Sequence, residues 1–280
     1  MINRIITGII LFLIIVSCLI YLPLNFIGLI LTIVFIYAFY EWLSIIGAKV
    51  LTKITSILLL ISIMYITHQL PEIFYLPVLI LGIAFWAVVA FLIAFNPKKI
   101  FQLIKTLPII LGIFILFISW YSLIFVGNRY SSLFINDELA SLFIHNNAQV
   151  IGYIAFVIIL VSLSDISGYA IGKTYGVNKL CPNISPNKTL EGFIGSIVLP
   201  CLLFFLYFIV YREYSLILLD FILLVICCVA CTLGDLTISC LKRSFDKKDS
   251  GSLLPGHGGI LDRLDSYLPS IIIFQYWMFA

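Results

Sequence analysis

The chain has 280 residues, 63% of them hydrophobic and only 10% charged, and its sixteen Lys and Arg against thirteen Asp and Glu leave a net charge of +3. Soluble globular domains carry about 25% charged and about 45–50% apolar residues. With a mean hydropathy of +1.20, the composition excludes a water-soluble globular fold, and so small a net charge gives no basis for a nucleic-acid partner.

A membrane span needs about 20 apolar residues, and roughly nine runs approach that length. They cover 5–22, 24–46, 54–66, 74–95, 107–126, 150–164, 194–211, 216–233 and 267–279. The expected fold is therefore all-α: one polytopic integral membrane domain spanning 1–280. The third and last runs are short enough to be tilted or re-entrant. The first follows Arg4 and is read as a retained helix, because no small-residue cleavage pattern follows it. Cationic loops favour the cytoplasmic side. If the first residues lie inside, every Lys and Arg except Arg129 and Arg212 falls on that side. Seven cysteines (Cys18, Cys181, Cys201, Cys227, Cys228, Cys231 and Cys240) lie mostly in apolar runs and give no disulfide framework. They are read as small apolar filler.

The halves differ. Residues 1–147 read as hydrophobic scaffold, with polar exceptions such as Glu41. A carboxylate at that depth usually faces a cavity or a partner helix. Residues 148–280 read as the catalytic half, with the chemistry gathered in 164–192 and 234–266. In the first segment Gly168, Gly172 and Gly176 recur every four residues. That spacing suits close helix packing, including a homodimer interface. It leaves Asp165, Lys173 and Lys188 unexplained. Gly-Lys-Thr at 172–174 resembles a phosphate-binding loop but is one residue short and follows no strand. Lys188, in the turn before the seventh run, is a candidate phosphate clamp.

In the second segment, Asp235, Ser239, Lys242 and Arg243 share one helical stripe. The carboxylate suits a hard divalent cation and the two cations suit phosphate oxygens. A basic face for anionic lipid heads fits the stripe equally well. Lys247, Lys248 and Asp249 follow. Then comes Pro255-Gly256-His257-Gly258-Gly259, whose glycines can either expose N–H groups to an anion or simply turn the chain. Asp262 and Asp265 sit three apart around Arg263. Held so close near lipid, they call for a cation or a salt-bridge network.

Three motifs carry a resemblance. Ser239 through Asp265, read as S-x-L-K-R-x4-K-D-x-G-x2-L-P-x-H-G-G-I-x-D-R-L-D, resembles the phosphatidate cytidylyltransferase (CDP-diacylglycerol synthase) signature at every fixed position. Asp165 to Gly176, Ser185 to Gly192 and the acidic Tyr40-Glu41-Trp42 are also similar to that family. Ser167 and Asn187 depart mildly from its pattern. The resemblance implies transfer of cytidylyl from CTP to phosphatidate, giving CDP-diacylglycerol and pyrophosphate with Mg²⁺. It implies metal carboxylates at Asp235 and Asp262, with Asp265 beside them. Lys188 and His257 become catalytic candidates. Ser239, Lys242, Arg243, Lys248, Asp249, Gly258, Gly259, Arg263 and Lys173 become substrate-contacting candidates. CTP, phosphatidic acid and membrane lipids are the expected partners. The expected setting is a multi-pass protein of the plasma membrane with a polar cavity facing the cytoplasm. A related enzyme using another lipid phosphate or lipid alcohol is the alternative; a transporter is disfavoured because the halves show no repeat symmetry.

Overall fold

The structure, a computed structural model, describes residues 13–19, 21–133, 148–211, 217–253 and 258–279. Pro23 precedes helix α1 (Leu24–Ile45). Helices α2 (Val50–His68) and α3 (Tyr75–Phe95) follow. A short helix α4 (Pro97–Thr106) leads into α5 (Pro108–Leu133). Beyond the next described residue come α6 (Ala148–Tyr175), strands β1 (Lys179–Cys181) and β2 (Ser185–Thr189), α7 (Leu190–Tyr211), α8 (Ile217–Ser244), α9 (Leu261–Leu264) and α10 (Tyr267–Phe279).

The all-α membrane architecture is as expected, while the expected count of nine spans extends into segments outside the described residues. Among the described residues, six helices are long and apolar enough to cross a membrane, with Leu190–Leu206 a shorter apolar helix beside them. The run at 5–22 falls largely outside the described residues, of which 13–19 are helical. Two runs continue further than hydropathy alone suggests. Helix α6 carries on through Asp165 to Tyr175, and α8 carries on through Asp235 to Ser244, so Gly234-Asp235 does not open a new segment. The polar ends of both helices line one cavity.

Proline and asparagine punctuate α4: Pro97 occupies its first turn and Asn96 accepts from the Lys99 N–H at 3.3 Å. Ile100 and Ile104 are buried, while Lys98, Lys99 and Lys105 are exposed. This is the pattern of a helix lying along a membrane surface.

Two buried clusters hold the bundle. The larger joins α1, α3 and α5 with the end of α8, around Phe39, Trp42, Leu79, Leu116 and Leu241. Trp42 crosses to α5, donating from Nε1 to the Pro108 carbonyl at 2.8 Å. The smaller cluster joins α6, α7 and α8 around Val161, Cys201, Leu224 and Cys228. Helix α10 serves both, with Leu268 and Ile272 in the first and Ile271 and Phe274 in the second. The cysteines of α8 are buried filler, as their apolar setting implies.

Helices α6 and α7 pack backbone to backbone. A Cβ on Gly192 would stand 2.8 Å from the Gly168 carbonyl oxygen and 3.0 Å from Gly172 Cα. The glycine stripe is thus consumed inside the chain, which removes it as a basis for the expected homodimer interface. Outward faces carry large apolar side chains, among them Leu51, Tyr65, Ile80 and Phe95, as a lipid-facing surface requires.

Candidate active site

Between α6, α7, α8 and the segment before α10 lies a polar cavity of about 1210 Å³. Asp165 and Lys173 reach it from α6, Lys188 from β2, Asp235 and Lys242 from α8, and Asp249, Gly258, Asp262, Arg263 and Asp265 from the segment that follows.

The turn expected before α7 is a short antiparallel hairpin, with Lys179 opposite Thr189 and Cys181 opposite Ser185. Its stem is tied to α7. Thr189 Oγ1 accepts from the Gly192 N–H at 3.2 Å, an N-cap, and Glu191 accepts from the N–H groups of Val177 and Asn178, each at 3.1 Å. This fixes β2 so that Lys188 extends across the cavity to Asp235 Oδ2 at 2.5 Å. Asp235 Oδ1 accepts from Ser239 Oγ at 3.3 Å, one turn along α8. A side chain in place of Gly234 would collide with the Asp265 carbonyl, so glycine there lets the approach to α10 rest on α8.

One turn beyond Ser239, Lys242 Nζ donates to Asp262 Oδ1 at 2.6 Å. Asp262 Oδ2 accepts from the Ser250 N–H and Oγ, each at 2.9 Å, and from the Gly259 N–H at 3.3 Å. Burial pushes the Asp262 pKa up, but the Lys242 and Ser250 hydrogen bonds outweigh it and hold the group below the ordinary carboxylate value. Asp265 is the opposite case. It is 8% exposed, and burial first, then the charges of Asp235 and Asp165, push its pKa well above the ordinary value. Ser266 Oγ, next in the chain, donates to Asp165 Oδ1 at 3.2 Å. On the cavity wall the negative charges of Asp235 and Asp165 therefore oppose ionisation of Asp265 by repulsion.

That repulsion, together with all-oxygen donors, suits a hard divalent cation. Among the described residues, no group of three carboxylates, histidines or cysteines stands close enough to hold an ion as the side chains lie. The cavity thus offers the right donors but not a closed cage.

The expected residues fall into three sets. Lys173, Lys188, Asp235, Lys242, Asp249, Gly258, Asp262, Arg263 and Asp265 line the cavity. Ser239 and Gly259 support it from behind through the bonds just given. Arg243 and Lys248 are exposed, and Arg243 donates to the Lys247 carbonyl at 3.4 Å. His257 lies outside the described residues.

Two participants were not assigned from sequence. Asp165 was noted there only as part of a motif. Glu41, 3% exposed on α1, accepts from Leu261 N at 2.8 Å, Ile260 N at 3.1 Å and Ser250 Oγ at 3.0 Å. Ser250 therefore links Glu41 and Asp262, its single hydroxyl proton shared between the two carboxylates while its N–H goes to Asp262. In the sequence Glu41 stands out as a carboxylate inside an apolar run and within the family-like Tyr40-Glu41-Trp42, but neither signal points to its partners, which lie more than two hundred residues away.

The sequence matches the Cytidylyltransferase family over residues 2–280. The chain belongs to this family. It is 44% identical over 131 residues to the phosphatidate cytidylyltransferase of Bacillus subtilis (strain 168), an alignment covering 46% of this chain and 47% of that one. It is 48% identical over 120 residues to the protein of the same name from Staphylococcus aureus (strain COL), covering 41% and 45%. The chain thus spans about half the length of the curated relatives it matches. In this family member the Lys188–Asp235 and Lys242–Asp262 pairs both border the polar cavity.

Proposed function

We propose that this protein is a phosphatidate cytidylyltransferase, converting CTP and phosphatidate to CDP-diacylglycerol and pyrophosphate. The observation that carries the reading is the charged cavity itself, with Lys188, Lys242, Arg263 and Lys173 opposite Asp165, Asp235 and Asp265 in an otherwise apolar bundle. The names of the relatives from Bacillus subtilis and Staphylococcus aureus support the same reading.

The nucleophile is a phosphate oxygen of phosphatidate, already ionised near neutral pH. It attacks the α-phosphorus of CTP; a new P–O bond forms there, and the bond to the β-phosphate oxygen breaks to release pyrophosphate. No protein nucleophile is needed. The chain's work is to position two polyanions and offset their charge. Lys188, Lys242, Arg263 and Lys173 bind phosphate oxygens. Ser239 holds the orientation of Asp235. Gly258 lines the cavity and the Gly259 N–H donates to Asp262 Oδ2, while Asp249, Arg243, Lys248 and His257 remain proposed contacts at the nucleotide or lipid head. Asp235, Asp262 and Asp265 would hold Mg²⁺; Asp262 Oδ1 accepts from Lys242 and keeps a second lone pair for it. When bound, the cation neutralises phosphate charge and eases departure of pyrophosphate.

The two halves, 1–147 and 148–280, act as one membrane domain in this reading, and α10's place in both buried clusters supports that. The asymmetry of Lys and Arg supports a plasma-membrane protein whose cavity opens to the cytoplasm, where CTP is found. Product analysis tests the proposal. Purified protein in detergent is given CTP, Mg²⁺ and phosphatidic acid, and a CDP-linked lipid is expected in step with pyrophosphate. Formation of neither overturns it.

A further inference from the structure

Beside the polar cavity lies a second of about 440 Å³, walled mainly by apolar side chains, including Ala90, Ala94 and Leu233. Leu180, Phe193 and Thr232 line both spaces, so the two share a wall. The geometry of α8 explains the seam. At about 100° per residue, Asp235, Ser239 and Lys242 lie to one side of Thr232, while Val229, Leu233 and Leu236 lie to the other. One helix thus presents a charged stripe and an apolar stripe to adjoining spaces. The apolar space also reaches the lipid-facing surface, because Ala94 is exposed and its neighbours Phe91 and Phe95 are 60% and 76% exposed. Pro97, at the start of helix α4, also lines it.

We propose that this groove seats one acyl chain of the lipid phosphate whose headgroup enters the polar cavity. The inference rests on the functional reading above and adds which wall receives the lipid tail. A chain leaving hydrocarbon for the groove gains little from water exclusion. The groove acts by shape: it lets the tail stay in apolar surroundings while the phosphate crosses the Phe193–Thr232 seam. Its residues therefore set the reach between head and tail rather than the chemistry.

Ala94→Phe fills the groove without touching the charged residues. With dioleoyl phosphatidate its KM is expected to rise at least roughly fivefold, the low end of what overpacking costs, with kcat and the KM for CTP unchanged. With water-soluble dihexanoyl phosphatidate, whose tails are too short to fill the groove, no change is expected. Equal shifts for both lipids, or none, overturn the proposal. Should that variant fail to fold, the wild-type protein carries its own reporter, since Cys181 lines the groove. Burial raises the Cys181 pKa, so alkylation by a maleimide is followed at alkaline pH by peptide mapping. Dioleoyl phosphatidate is expected to slow it, and CTP or dihexanoyl phosphatidate is not. Equal protection by dioleoyl phosphatidylcholine marks the groove as a bulk-lipid contact and overturns the proposal. Absence of turnover with every lipid strikes the functional reading instead.

Discussion

Glu41 sits on α1, far in sequence from the charged segments, yet its carboxylate reaches the segment that carries Asp262. Glu41→Gln keeps size and shape but replaces one acceptor oxygen with an NH₂ donor. In the native arrangement Oε1 accepts from Ile260 N, and Oε2 accepts from Leu261 N and Ser250 Oγ. A glutamine keeps at best the oxygen facing Leu261 and Ser250, setting its NH₂ against the Ile260 N–H. One charge-assisted hydrogen bond is lost and two donors face each other out of water. The cost is about 1.5–3 kcal/mol. Because Ser250 also holds Asp262 Oδ2, this loss falls on the geometry of the loop rather than on the apolar core. If all of it appears in the transition state, kcat falls roughly 10- to 150-fold, with a smaller change in the KM for CTP. The assay measures CTP-dependent CDP-lipid formation beside thermal unfolding in detergent. Amide exchange at Ser250, Ile260 and Leu261 is expected to quicken. Retention of kcat within about twofold, given the size of that bond, together with unchanged exchange, would refute the role given to Glu41.

Three further outcomes follow from the charge pairs. The Lys188–Asp235 pair is 26% and 31% exposed, so Lys188→Ala should cost no more than about 1 kcal/mol of stability. Its activity should nonetheless fall by roughly a hundredfold or more, and a melting curve beside a turnover assay separates the two. The Lys242–Asp262 pair is deeper, at 14% and 10% exposed, and Lys242→Ala leaves a charge uncompensated at a cost of about 3–5 kcal/mol. Adding Asp262→Asn should recover much of the melting temperature but none of the activity, and failure of that recovery would count against the pairing. Asp265 has a raised pKa, so it stabilises the cation-free protein only while protonated. That stability is full below the ordinary carboxylate pKa and is lost as pH rises above it. Melting temperatures in chelator should therefore fall from acid to neutral pH, Asp265→Asn should flatten the trend, and Mg²⁺ should bind more tightly as pH rises.

Much of the fold is legible in composition because lipid enforces a simple rule: apolar runs of a given length become helices. What hydropathy misses is where a helix continues once it turns polar. The ends of α6 and α8 fall outside the apolar runs because they carry Asp165, Lys173, Asp235 and Lys242, and those residues line a polar cavity of about 1210 Å³ rather than lipid. Likewise α4 is hidden by its lysines, although Ile100 and Ile104 keep a helical spacing. At the site, the clustering of charge marks Asp235, Lys242, Asp262 and Asp265 directly, and the i, i+4, i+7 stripe on α8 is present as read. The hairpin that aims Lys188 is not legible, since Pro186 and Asn187 suggest a turn and the strand pairing depends on contacts with α7. The bridge from Glu41 through Ser250 is hidden for another reason: it joins two ends of the chain, and no local pattern encodes a hydrogen bond between them.

The pairs also bear on how a charged site persists inside a membrane bundle. Isolated buried charges are costly, and a carboxylate facing an ammonium is tolerable only with further hydrogen bonds. Asp262 has those bonds from Ser250 and Gly259, and Asp235 has one from Ser239. Each lysine, by contrast, is held mainly by its carboxylate. When phosphates enter under the proposed function, Lys188 and Lys242 can exchange a carboxylate for a phosphate oxygen of the same charge, which costs little. The carboxylates released are already oriented by their remaining donors. Cation and anionic substrate should therefore bind cooperatively, each removing the partner that the other's ligands had held. Titration of CTP with and without Mg²⁺ measures this. Equal affinity in both conditions would mean that the lysine–aspartate pairs stay closed, and that substrate binds elsewhere on the cavity wall.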